Sequence, residues 1–214
     1  MRTSRPLGRA IVLAATVTAL ATGCHSTSST GAAGSPSAST GGSPSAGTSG
    51  SASPTGPSAG GGLTTCHTAA LRLTLDSRQA DAAAGSTYYP IDFTNTSADP
   101  CALGGYPGVS FVTAADATGR QLGAAAQRNP QFGSLVVRLN PGGQAHAWLQ
   151  VAQAGNYPAS ACSPTTARGL RIYPPDQTQA GYIQQDFPAC ATTSAQVLTI
   201  MPMRSGQGTR GTAP

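Results

Sequence analysis

The chain has 214 residues, with 12 basic side chains, all Arg, against 7 acidic ones, all Asp; Lys and Glu do not occur. Without Lys and Glu the residues of many acid/base and Schiff-base enzymes are missing. Three arginines belong to the leader described next, so the remaining nine Arg face seven Asp. That near-neutral balance excludes the concentrated basic face that phosphate recognition needs, and with it nucleic acid as a partner.

Arg2, Arg5 and Arg9 form a charged start, and Ala10 to Ala21 is uncharged and apolar. About a dozen such residues is the length of a secretory signal core, whereas a membrane-spanning helix needs about 20. The arginines are not adjacent, which points to general secretion rather than twin-arginine export. Ala21-Thr22-Gly23-Cys24 then resembles a lipobox, so residues 1–23 read as a lipoprotein signal peptide and Cys24 as the lipid-bearing N-terminus. The match is incomplete, because Leu20 stands one step earlier than the pattern prefers. Ala19-Leu20-Ala21 offers a rival cleavage site that would release a soluble protein. Cysteine parity favours lipidation: of five cysteines, assigning Cys24 to lipid leaves an even set, Cys66, Cys101, Cys162 and Cys190. The expected location is the outer face of the cytoplasmic membrane, with membrane lipid as partner through Cys24.

Residues 24–63 carry almost only Ser, Thr, Gly, Ala and Pro after the cysteine. Such a segment has too few apolar groups to offset the entropy of folding. It reads as a disordered tether with a root-mean-square span of about 35 Å. A glycosylated stalk is the other reading of this composition.

Residues 64–204 read as one folded domain. Apolar residues alternate with period two at Leu71, Leu73 and Leu75, at Tyr89, Ile91 and Phe93, at Leu135, Val137 and Leu139, and at Leu170 and Ile172. A last apolar strand is expected over Gln196 to Met201. Turn residues separate these runs, among them Gly104-Gly105-Tyr106-Pro107-Gly108 and Asn140-Pro141-Gly142-Gly143. The pattern predicts an all-β fold, an antiparallel immunoglobulin-like β-sandwich of seven or eight half-buried strands. Residues 205–214 read as a disordered tail.

Four cysteines allow three pairings, which sequence alone does not resolve. Chain neighbours are preferred, Cys66 with Cys101 and Cys162 with Cys190. Each closure would contribute about 3.5 to 4 kcal/mol in the loop-entropy treatment. A zinc site would need close Cys-x-x-Cys pairs, and none occurs. No metal or cofactor is expected.

Thr94-Asn95-Thr96-Ser97-Ala98-Asp99-Pro100-Cys101-Ala102-Leu103-Gly104-Gly105-Tyr106-Pro107 resembles a block of the actinobacterial secreted family called domain of unknown function 4232. Leu139-Asn140-Pro141-Gly142-Gly143, Cys162-Ser163-Pro164 and Leu170-Arg171-Ile172-Tyr173-Pro174-Pro175 agree with it. The resemblance spans about Cys66 to Met203 and implies a β-sandwich lipoprotein of the envelope, with no catalytic residues to carry over. Physically, Asn95 and Ser97 suit a strand-to-turn device, and Gly104, Gly105 and Gly108 permit positive φ.

The strand from Gln144 to Val151 is the candidate ligand surface. Alternation puts Ala145, Ala147, Leu149 and Val151 on the core face and Gln144, His146, Trp148 and Gln150 on the other. The chain's one Trp would then point outward, placed to stack on a sugar ring, unless a loop or the second sheet covers it. No Gly-x-Ser-x-Gly elbow occurs in the folded region, and a His-Glu-x-x-His motif is impossible without Glu. His67, His146 and the seven scattered Asp form no recognisable triad. The expected function is therefore a non-enzymatic binding module for an envelope protein or a cell-wall glycan. The runner-up is an Asp/His-dependent envelope hydrolase, which requires His146 and an Asp to converge in a pocket.

Overall fold

The structure, a computed structural model, describes residues 63–214. The signal segment, the proposed lipid site at Cys24 and the tether through residue 62 lie outside the described residues. No helix among the described residues is long and apolar enough to cross a membrane.

Among the described residues thirteen strands follow in chain order: β1 Leu71–Leu75, β2 Asp81–Ala83, β3 Ser86–Asn95, β4 Cys101–Gly104, β5 Gly108–Val112, β6 Gln121–Leu122, β7 Gln127–Arg128, β8 Val136–Leu139, β9 Gln144–Ala152, β10 Pro164–Tyr173, β11 Gly181–Cys190, β12 Leu198–Ile200 and β13 Arg204–Ser205. They form a β-sandwich. One sheet has the order β1-β3-β9-β12-β7, with β2 also on β3 and β13 also on β9; the second runs β11-β10-β5-β6, and β4 pairs with β8 as a separate ribbon. Pairing is antiparallel except for the short β12–β7 ladder. Four of the strands beyond the seven or eight expected, β2, β6, β7 and β13, are only two or three residues long, too short to show alternation. The last core strand starts at Leu198, not Gln196.

The inner faces of both sheets meet in one apolar core that includes Phe93, Leu149 and Leu198 from the first sheet and Phe111, Leu170 and Phe187 from the second. Each of these side chains contributes about 1.5 to 3 kcal/mol through burial. Tyr89 meets Phe187 edge-on with ring centroids 5.4 Å apart, so β3 is locked onto β11 by a specific aromatic contact. Leu135 and Val136 stay exposed, so the apolar run there enters the core only at Val137 and Leu139.

Both expected disulfides are present, Cys66–Cys101 and Cys162–Cys190, closing sequence separations of 35 and 28. The first ties the segment before β1 to β4. The second joins the start of β10's approach to the end of β11.

The family-like block around Asn95 is a structural junction. Asn95 is fully buried; its amide nitrogen donates to the carbonyls of Asp99 (2.8 Å) and Leu139 (3.2 Å), and its oxygen accepts from the Ser97 amide (3.0 Å) and hydroxyl (2.7 Å). Its backbone bonds Gly142 and Gly143 in the turn before β9. Of the three glycines expected to permit positive φ here, Gly105 is the one that uses it, at 85°.

Two expectations need correction. The strands are not uniformly half-buried, since β3 is buried on both faces from Pro90 to Asn95. Residues 205–214 are not disordered. They lie across the outer face of β3 and β9, where Asp92, His146 and Trp148 are buried.

Candidate functional site

β9 alternates as its sequence requires. Ala145, Ala147 and Leu149 are completely buried in the core, and Gln144, His146, Trp148 and Gln150 fall on the opposite face. That opposite face is covered, however: Trp148 is 3% exposed and His146 8%. Of the two expectations for Trp148, outward in solvent or covered by a loop or the second sheet, the structure has the covered one, a Trp under a roof, and an open stacking platform is not formed.

The roof is the C-terminal segment, and each of its attachments can be named. Arg204 and Ser205 pair with His146 and Ala145 of β9, and the Met201 amide donates to the Trp148 carbonyl at 2.9 Å. The Gly206 carbonyl lies 2.9 Å from His146 Nδ1. A carbonyl only accepts, so Nδ1 carries the proton. Further along, the Gly208 amide donates to Asp92 Oδ1 (2.8 Å), the Arg210 amide to Gln79 Oε1 (3.0 Å), and the Gly211 and Ala213 amides to the Asp81 carboxylate (2.8 and 3.3 Å to Oδ2). Only glycine fits at 208, because a Cβ there would sit 2.4 Å from Pro90 Cβ.

Between β9 and this roof is a cavity of about 430 Å³, within the size range of small-ligand sites. Trp148, Phe132, Met201, Pro202 and Pro214 supply its apolar walls. His146, Arg204, Ser205, Gln207, Thr209 and Thr212 supply its polar groups. Tyr106 fixes the Phe132 side, with its hydroxyl 2.8 Å from the Asn129 carbonyl and 3.2 Å from that of Phe132. The Trp148 indole Nε1 is buried and has no hydrogen-bond partner among the described residues. Such an unmet donor is costly and uncommon in a folded protein.

Of the four expected ligand residues, the structure brings His146 and Trp148 together, rings edge-on at 6.1 Å. The other two are engaged elsewhere: Gln144 donates to Thr94 Oγ1 at 3.3 Å and Gln150 to Ser86 Oγ at 3.1 Å, both on β3. The polar groups that sequence reasoning missed are Arg204, at the end of the expected domain, and Ser205 to Thr212, in the segment taken for a loose tail. Their one available signal was the spacing of Gly206, Gly208 and Gly211, which suits close backbone approach as well as it suits disorder.

Asp92 and His146 face each other in the β3–β9 register. Asp92 is 1% exposed, and that burial raises its pKa, with the Gly208 amide, His146 and the Gln207 side chain pulling the other way. No hydrogen bond joins Asp92 to His146 among the described residues. Elsewhere the acidic groups serve local structure: Asp76 pairs with Arg78, Asp186 with Arg168, and Asp116 caps its own turn through Thr118. Among the described residues, no three His, Cys, Asp or Glu side chains gather as metal ligands would.

Residues 66–204 match the family model described as Domain of unknown function (DUF4232). The chain belongs to that family. No curated protein and no solved structure is significantly similar to it. The DUF4232 match includes Asp92, His146, Trp148 and the Asn95 junction, and it ends at Arg204, so most of the roof lies beyond the matched residues.

Proposed function

We propose that this DUF4232 protein is a lipid-anchored, non-enzymatic binding module of the cell envelope, and that its ligand is a cell-wall glycan held in the cavity between β9 and the C-terminal segment. The observation that carries this reading is the cavity itself, with Phe132 and the edge of the buried Trp148 among its apolar walls, hydroxyl and amide side chains around it, and one buried indole N–H without a partner beside it. Sugar sites combine those elements, an apolar ring face for stacking and polar groups for hydroxyls. A protein partner, the other expectation, has less support, because the polar residues gather around one cavity.

The anchored location rests on the leader, on Cys24 after small residues, and on the two disulfides that account for every other cysteine. Disulfides of this kind suit an exported protein. Cys24→Ala is expected to move the protein out of the membrane fraction. Unchanged distribution and electrophoretic mobility would reject the anchor.

The hydrolase alternative retains one supporting observation, the facing of Asp92 and His146 across β3 and β9. Against it, Asp92 is buried and holds the Gly208 amide, and His146 Nδ1 is committed to a backbone carbonyl instead of a carboxylate. The full-length chain should co-sediment with purified peptidoglycan or arabinogalactan without releasing fragments. Thr209→Phe, which fills the cavity, should abolish co-sedimentation while leaving the circular dichroism spectrum unchanged. Retained binding in that folded variant would reject the site, and fragments lost on His146→Ala would establish the hydrolase instead.

A further inference from the structure

The cavity has a charge character that narrows its ligand. Arg204 is the one formally charged side chain on its walls, and no Asp lines it. The Arg204 Nη1 donates to the carbonyls of Gly133 and Met203 at 3.0 and 3.1 Å. Its Nε and Nη2 have no partner among the described residues, and neither ion pair found there involves Arg204. Those two nitrogens are the edge of a guanidinium that meets a carboxylate through two parallel hydrogen bonds. The acidic groups that hold the roof, Asp92 and Asp81, are engaged with backbone amides of the segment.

Other donors have the same sense. The indole Nε1 of Trp148 is an unmet donor and carries no lone pair that could accept. A ligand suited to these walls is therefore rich in acceptors, anionic and flat on one face. We propose that the cavity takes an acidic saccharide unit, a sugar bearing a carboxylate, with the carboxylate on the free Arg204 edge. This rests on the reading of the cavity as a glycan site and adds the chemistry that selects among glycans.

Trp148 is the only Trp of the chain, so its emission reports the cavity directly. The test titrates the full-length protein at low ionic strength with two probes of equal length, a disaccharide containing N-acetylmuramic acid and its neutral counterpart, the N-acetylglucosamine dimer. The acidic probe should bind at least ten-fold more tightly, and raised salt should erode that preference because an ion pair is screened. Arg204→Gln should bring the two probes to parity. Arg204→Lys, which keeps the charge but loses the fork, should retain only part of the preference. Equal binding of both probes, or a preference indifferent to both Arg204 variants, overturns the acidic-sugar assignment and leaves the glycan site standing. If neither probe perturbs Trp148, the glycan reading fails together with it.

Discussion

The Gly208 amide donates to Asp92 Oδ1 over 2.8 Å, joining residues 116 positions apart. This bond is where the C-terminal segment meets the buried outer face of β3, directly opposite His146 on β9. Through it the segment becomes part of the sandwich, and the cavity acquires its roof.

Gly208→Ala should therefore loosen the roof. The added Cβ would lie 2.4 Å from Pro90 Cβ and 3.3 Å from the His146 ring, and overpacking of this kind costs about 1 to 3 kcal/mol. Urea unfolding should show that loss, accompanied by a red shift of Trp148 emission. An unchanged midpoint and spectrum would mean that the segment does not pack where it is described.

Asp92 gives a pH dependence whose sign follows from its environment. Burial raises its pKa in the folded state, so between the unfolded value of about 3.9 and the raised folded value the native protein binds more protons than the unfolded chain. The Asp92 contribution to stability then falls as pH rises through that window. Asp92→Asn keeps an oxygen for the Gly208 amide and removes the buried charge. Its melting temperature should equal or exceed that of the parent at pH 7, and the variant should lack this component of the slope at acidic pH. A clearly less stable variant with the parent's slope would contradict the assignment. Asp76 and Asp116 act in the opposite direction: Arg78 and Thr118 respectively hold their pKa values down, so their small contributions disappear on acidification through those lowered values.

Asn95→Ala removes the junction between β3, the turn at Ser97 and the end of β8. Three backbone groups and the Ser97 hydroxyl lose their side-chain partner in one substitution. With about 1 to 3 kcal/mol for each buried group left unpaired, a loss of about 2 to 4 kcal/mol is expected in chemical denaturation, allowing for water reaching the exposed part of the turn. A change under about 0.5 kcal/mol, the range of ordinary surface substitutions, would show that the block is not a structural junction.

Much of this architecture was legible in the chain because it rests on local periodicity. Alternation assigned both faces of β9 correctly, from Ala145 to Gln150, and the cysteine order led to the two disulfides. What escaped was the roof. Its composition, Ser-Gly-Gln-Gly-Thr-Arg-Gly-Thr, has no apolar period, and its bonds run to Gln79, Asp81 and Asp92, more than 110 positions away. Nothing local marks a Gly-rich strand segment that is held by distant carboxylates. For the same reason the chain left open what covers Trp148: the alternation gave its direction correctly, and the cover came from a part of the chain that carried no signal of order. The parallel β12–β7 ladder escaped likewise, because two-residue strands such as β7 show no pattern.

Closure of the C-terminal segment over Trp148 forms the cavity, and acrylamide quenching of that single indole measures it. In the intact chain the emission should be blue-shifted and poorly quenched; in a chain ended after Ser205 it should shift to the red and quench several-fold more strongly, while the sandwich stays folded by circular dichroism. Strong quenching in the intact chain, or identical quenching in both, would contradict the roof and the cavity beneath it.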